Sequence, residues 1–223
     1  MLQITGAESS AVPHGHEKGS KLLGTMLMTL RGTPFMYEGE EIGMTNVNRA
    51  SIDEYDDISS HNQYRMALNN GLSEEDAMKC VRRFSRDNAR SPMQWNTAEN
   101  AGFTSGTPWL AVNDNFNTIN VATELNDDNS VLSWYQRLNK LRKDNPVLID
   151  GDYRELIPES EEIFAYTRSD ANGCATILLN FTENEVSYDS NLIKGAKLLI
   201  STEEDSESGI LKPYEAVCYY KTN

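Results

Sequence analysis

The spacing of apolar residues changes near residues 143–153, and this change constrains the fold more than any other feature of the sequence. Beyond it lie short apolar runs: Ile163-Phe164-Ala165-Tyr166-Thr167, Ala175 to Phe181, Ala196 to Ile200 and Glu215 to Tyr220. Clusters of Asn, Gly, Asp and Ser divide them, and Ser169-Asp170-Ala171-Asn172-Gly173 has the composition of a hairpin loop. The pattern predicts an antiparallel β domain over residues 149–223, with a domain boundary at the change itself.

Upstream of the change, the apolar residues recur at helical intervals. Leu22, Leu23, Met26, Leu27 and Leu30 form one face of a helix that Ser20 can cap and that runs to about Arg31. Gly32-Thr33-Pro34 stops it. Phe35-Met36-Tyr37 then reads as a short buried strand leading into the polar loop Glu38-Gly39-Glu40-Glu41. Helix, turn, strand and glycine loop make an α/β unit, and in such folds sites form at the carboxyl ends of strands. The three acids could hold a metal or work as an acid–base pair. They could equally be one hydrogen-bonded carboxylate and two solvated ones, and the lack of a nearby His favours that reading. Asp53, Glu54, Asp56 and Asp57 match a calcium loop only loosely, with no Gly in place.

A second helix is expected over Ile58 to Asn70, ended by Gly71. A third starts at Ser73-Glu74-Glu75-Asp76 and buries Ala77, Cys80, Val81 and Phe84. The stretch from Asn96 to Asn126 lacks periodicity, and Phe103 and Trp109 suggest that it packs on a scaffold. Asp128 or Asn129 is expected to cap a helix with Val131, Trp134, Tyr135, Leu138 and Leu141 on its apolar side, ending near Lys143.

Between these helices lies Ser85-Arg86-Asp87-Asn88-Ala89-Arg90-Ser91-Pro92-Met93-Gln94-Trp95. Pro92 disfavours helix at Ser91, so an ordered loop is expected. Arg86 offers a planar fork suited to a carboxylate or to vicinal hydroxyls, and Trp95 an aromatic face. An Arg–Asp pair that ties the loop to its own scaffold is the structural alternative to ligand binding.

A net charge of −14 argues against nucleic acid as a partner. No apolar run is long enough for a membrane helix, and Met1 to Gly6 lacks the pattern of a secretory signal. Cys80, Cys174 and Cys218 are too far apart for a CxxC site and odd in number, which suggests reduced thiols and a cytoplasmic location. His14 and His16 lack a third ligand at a metal-site spacing, so residues 1–19 are read as a flexible terminus, with neither metal nor cofactor expected.

Four stretches together resemble the oligo-1,6-glucosidase branch of the α-amylase superfamily. They are Gly32 to Met44, Ser51-Ile52-Asp53-Glu54-Tyr55, Arg86 to Trp95, and Asn100-Ala101-Gly102-Phe103-Thr104 with Pro108-Trp109. The resemblance implies an α+β chain: the last strand and flanking helices of a (β/α)8 barrel over residues 20–148, followed by an antiparallel β-sandwich over 149–223. It implies retaining hydrolysis of α-glucosidic bonds in short oligosaccharides as the parent activity. The family's nucleophile, its acid/base Glu and its ring-gripping Asp follow the fourth, fifth and seventh barrel strands. The last of these sits in an Asn-His-Asp motif that this sequence lacks. The chain is therefore expected to carry no catalytic residue and to be inactive alone, with a non-catalytic structural or sugar-binding remnant as the alternative. By the same resemblance, Arg86 holds the non-reducing glucose, Arg90 braces the loop, and Ser59 stands where a Glu contacts the leaving sugar. Glu38 occupies a position where Gln or Met is usual. The implied partners are an α-linked glucose oligosaccharide and either the missing N-terminal half of the barrel or a second copy, because Phe35 to Tyr37 would have no sheet to join.

Overall fold

A computed structural model of the protein describes residues 15–223. Its helices are α1 (His16–Thr29), α2 (Ile58–Asn69), α3 (Glu74–Phe84), α4 (Val121–Glu124), α5 (Val131–Asp144) and α6 (Val147–Asp150). Its strands are β1 (Asp152–Glu155), β2 (Ile163–Ser169), β3 (Gly173–Asn180), β4 (Val186–Ser187), β5 (Lys197–Ser201), β6 (Ile210–Leu211) and β7 (Ala216–Thr222). The chain forms two compact units, residues 15–37 with 129–223, and residues 38–128. This division differs from the expected boundary at residue 148, because α1, α5 and α6 share a core with the strands.

In the first unit, β1-β2-β3-β7-β5 form one antiparallel sheet in that order. Side chains alternate across it with the two-residue period of extended chain. Tyr166, Ala175, Ile177, Leu179 and Cys218 pack with Leu22 of α1 and with Val147 and Leu148 of α6. Ile163, Ala165, Leu178, Val217 and Tyr219 pack with Val186, Ile193 and Leu211. Apolar matter covers both faces, which is why the strands read as unbroken apolar runs. The expected antiparallel β domain has two unequal layers, a five-stranded sheet with helices on one face and the two-stranded β4–β6 sheet packed on the other. Strand β1, Asp-Tyr-Arg-Glu, escaped the sequence reading because it is a polar edge strand.

Two arginines join α1 to the later elements of this unit. Arg142 of α5 donates to the carbonyls of Met28, Leu30 and Gly32. Arg168 of β2, fully buried, donates to the carbonyls of Thr29, Leu148, Ile149 and Gly151. The unsatisfied last carbonyls of α1 are thus capped by guanidinium groups rather than by its own C-terminal turn. The helix begins at His16, so Ser20 lies inside it and does not cap it. His14 and the rest of residues 1–14 lie outside the described residues, whereas residues 16–19 of the expected flexible terminus are helical. The cap of α5 is Ser130, whose Oγ accepts the Ser133 N–H at 3.1 Å, and neither Asp128 nor Asn129 takes that role. Trp134 of α5 donates its indole N–H to the Lys21 carbonyl and to Thr25 Oγ1, each at 3.0 Å.

The strand expected at Phe35-Met36-Tyr37 is not formed: the segment has no regular secondary structure, belongs to neither sheet, and Phe35 is 84% exposed. A parallel barrel strand needs hydrogen-bonded neighbours, and neither sheet of the described residues supplies them.

In the second unit, α2 ends at Gly71 (φ +86), a backbone geometry suited to Gly, and Ser73 caps α3 through the Asp76 N–H. Tyr55, Met78 and Val81 form the core here. Phe84 is exposed and Cys80 only partly buried, because the buried stripe of α3 runs through Ala77, Met78 and Val81 instead. The following loop folds into 3-10 turns at Glu99–Gly102 and Asp114–Asn117, then into α4. Phe103 and Trp109 are exposed, contrary to the packed positions expected of them. Amide side chains secure the loop instead: Gln94 donates to Asn115 and to the Ile119 carbonyl, and Asn113 donates to Thr45. Among the described residues no helix is long and apolar enough to cross a membrane.

Candidate functional site

Two acidic side chains pin the start of α2 to the 3-10 turn Arg86–Arg90. Asp87 is fully buried, and its Oδ2 accepts the backbone N–H groups of Asp56 (2.8 Å) and Asp57 (2.9 Å). Its Oδ1 accepts from Arg90 Nη1 at 3.0 Å. Asp57, also buried, accepts from Arg86 Nη2 at 2.7 Å and from Ser60 Oγ at 3.0 Å. Ser85 closes the ring of contacts: its hydroxyl lies 2.7 Å from Ser60 Oγ, to which it donates, and its Oγ accepts the Asp87 N–H. The segment expected as a loop is a 3-10 helix over Arg86–Arg90, and it stops at Ser91, which is extended ahead of Pro92.

The two arginines differ in what they leave available. Arg90 points inward to a fully buried carboxylate and braces the turn. The Arg86 side chain is 62% exposed while its partner carboxylate is 4% exposed. Asp57 therefore holds the guanidinium from below and leaves its outer donors to solvent, in a fork that fits paired hydroxyls or a carboxylate. Ser59 is exposed in the first turn of α2, two residues after Asp57. The structure thus brings Arg86, Arg90 and Ser59 around one Asp57–Asp87 framework. Glu41 accepts the Gly39 N–H at 2.7 Å and is partly buried, while Glu38 is exposed. Among the described residues no group of three His, Cys, Asp or Glu side chains could hold a metal ion.

Sequence reasoning missed the framework itself. In the sequence Asp56 and Asp57 fall in a weak calcium-loop pattern, whereas in the structure Asp57 sits at the N-cap position of α2. The available signal was the acid immediately before a predicted helix, which marks a helix start more often than a metal ligand.

Burial acts to raise the Asp57 pKa, but the hydrogen bonds from Arg86 and Ser60 help to outweigh it and hold the group below the ordinary carboxylate range. A depressed folded-state pKa contributes stability above the unfolded pKa and loses it as pH falls through the folded value. The second unit should therefore lose urea resistance as pH falls below about 4, the unfolded carboxylate value. Asp57→Asn should flatten that dependence. An unchanged acid limb in the variant would show that Asp57 is not its source.

Residues 5–151, more than half of the chain, match the catalytic domain of alpha amylase. The chain belongs to the α-amylase family. Within that family it is 42% identical over 203 residues to an oligo-1,6-glucosidase of Heyndrickxia coagulans, covering 90% of this chain and 36% of that protein. It is 39% identical over 204 residues to a glucan 1,6-alpha-glucosidase of Streptococcus pneumoniae, covering 91% and 38%. Among solved structures it superposes on trehalose-6-phosphate hydrolase of Bacillus licheniformis with a TM-score of 0.87 and 38% identity, covering 94% of this chain and 39% of that one. The chain thus spans less than half the length of these family members, and it falls in their oligo-1,6-glucosidase and trehalose-6-phosphate hydrolase branch.

Proposed function

We propose that these residues are the closing part of an α-glucosidase-type glycoside hydrolase acting on short α-linked glucose oligosaccharides. Arg86 is their contribution to the sugar site, and the reacting carboxylates come from barrel residues outside this sequence. The observation that carries the reading is the exposed Arg86 guanidinium, oriented by buried Asp57. A retaining glycosidase needs two carboxyl groups about 5–5.5 Å apart flanking the scissile bond. Beside Arg86, Asp57 and Asp87 are both buried and already engaged by arginine, serine and backbone donors. They are suited to hold the guanidinium and not to attack a sugar. The exposed apolar segment at Phe35–Tyr37 supports the same division, since its side chains suit a strand flanked by others. The likeness to proteins named as glucosidases and as a trehalose-6-phosphate hydrolase supports the substrate class.

The test is complementation. The chain alone should not hydrolyse nitrophenyl α-glucoside. Together with the N-terminal portion of an oligo-1,6-glucosidase, on one polypeptide or two, it should. Arg86→Ala should then lower kcat/KM by about 10- to 100-fold, the range for losing one charged contact to the reacting sugar. Turnover by the chain alone, or an Arg86→Ala variant of full activity, would overturn the proposal.

A further inference from the structure

Asp56, next to the Asp that holds Arg86, belongs to a different feature. It lines an open depression of about 640 Å³ together with Ile52, Ile58, His61, Tyr64 and Arg65. Neither Arg86 nor Asp57 is part of that lining. Asp56 Oδ2 accepts the indole N–H of Trp109 at 3.0 Å. The bond fixes the ring while its surface stays 68% exposed. An exposed tryptophan held by its own polar edge presents an aromatic face with little rotational freedom left to lose on binding.

We propose that this depression is a second carbohydrate-binding site, separate from the one built on Arg86, with Trp109, which does not line it but is tied to the lining residue Asp56, as an adjoining stacking platform. Its lining combines a carboxylate, a guanidinium, a phenol and an imidazole with two isoleucines. Asp56 and Arg65 carry opposite charges, so the surface offers acceptors and donors without favouring either sign of ligand. That suits a neutral chain of hydroxyls, while the isoleucines and the indole suit the apolar faces of sugar rings. The overall charge of −14 disfavours an acidic ligand, and Asp56 is already occupied by an N–H donor, which disfavours a cation. The volume lies within the range of small-molecule sites. The choice of an α-glucan oligomer as the occupant rests on the proposed glucosidase reading.

The experiment labels the chain's three tryptophans with 5-fluorotryptophan and titrates isomaltotriose by fluorine NMR, with sorbitol as the control. The Trp109 signal, assigned by its loss in Trp109→Phe, should move saturably with isomaltotriose and not with sorbitol, while buried Trp134 stays still. Asp56→Ala, which releases the indole, should weaken the effect by tenfold or more. Arg86→Ala should leave it within twofold. A silent Trp109 signal, a shift reproduced by sorbitol, or a shift abolished by Arg86→Ala would each overturn the second site. A silent Trp109 alongside Arg86-dependent activity in the complemented enzyme sinks this inference and leaves the glucosidase reading standing. A responsive Trp109 with activity indifferent to Arg86 does the reverse.

Discussion

Arg168→Met is expected to destabilise the first unit by about 3 kcal/mol or more, read as a shift of the urea midpoint of roughly 1 M or more. The guanidinium serves four carbonyls from three places: the end of α1 (Thr29), the end of α6 (Leu148 and Ile149) and the start of β1 (Gly151). Met fills much of the volume and keeps the alkyl stem, so the loss reports the hydrogen bonds rather than a cavity. Each buried carbonyl left without a donor costs about 1–3 kcal/mol before relaxation. Removing a buried charge recovers part of that, because burial disfavours the cation and pushes the Arg168 pKa down. Arg168→Lys is the informative control: it keeps the charge but offers a compact ammonium where a planar fork is needed, and it should fall between the wild type and Met. Equal stability in all three proteins would show that the carbonyls find other donors.

Asp87→Ala should have a comparable effect on the other unit, about 3 kcal/mol, and should spare the first. The carboxylate accepts two backbone N–H groups and Arg90 from a position with no solvent access. Its removal leaves the Asp56 and Asp57 amides without their acceptor and frees Arg90, which at 37% exposure can turn to solvent, so the amides carry the larger loss. Hydrogen exchange at the Asp56 and Asp57 amides should quicken sharply, while Trp134 fluorescence in the first unit should report an unchanged transition. Asp87→Asn keeps a neutral acceptor and should lose less. Unaltered exchange at both amides would rule out the role assigned to Asp87.

The strands were legible because burial on both faces of a sheet writes itself as an apolar run, as at Ile177-Leu178-Leu179. Helix α5 was legible because Val131, Trp134, Tyr135 and Leu138 keep the helical period and are all buried. Its cap was not, since Asp128, Asn129 and Ser130 are three capping residues in a row and tertiary packing chose among them. Arg168 carried a signal that went unread: it alternates in register with Phe164 and Tyr166 on β2, and a charge at an inward-facing strand position implies buried partners. At the candidate site, Arg86 and Arg90 could be picked from their motif. That one points out and the other in depends on Asp57 and Asp87, which belong to segments about 30 residues apart and meet only in the fold.

The two arginines that close α1 set a timetable for synthesis. Arg142 meets the Met28 carbonyl across 114 residues of chain, and Arg168 meets that of Thr29 across 139. A ribosome releases α1 early and must make the whole second unit before either guanidinium exists. The helix is therefore born with its C-terminal end open, and residues 38–128 form an excursion that can settle while the first unit waits for its closing pieces.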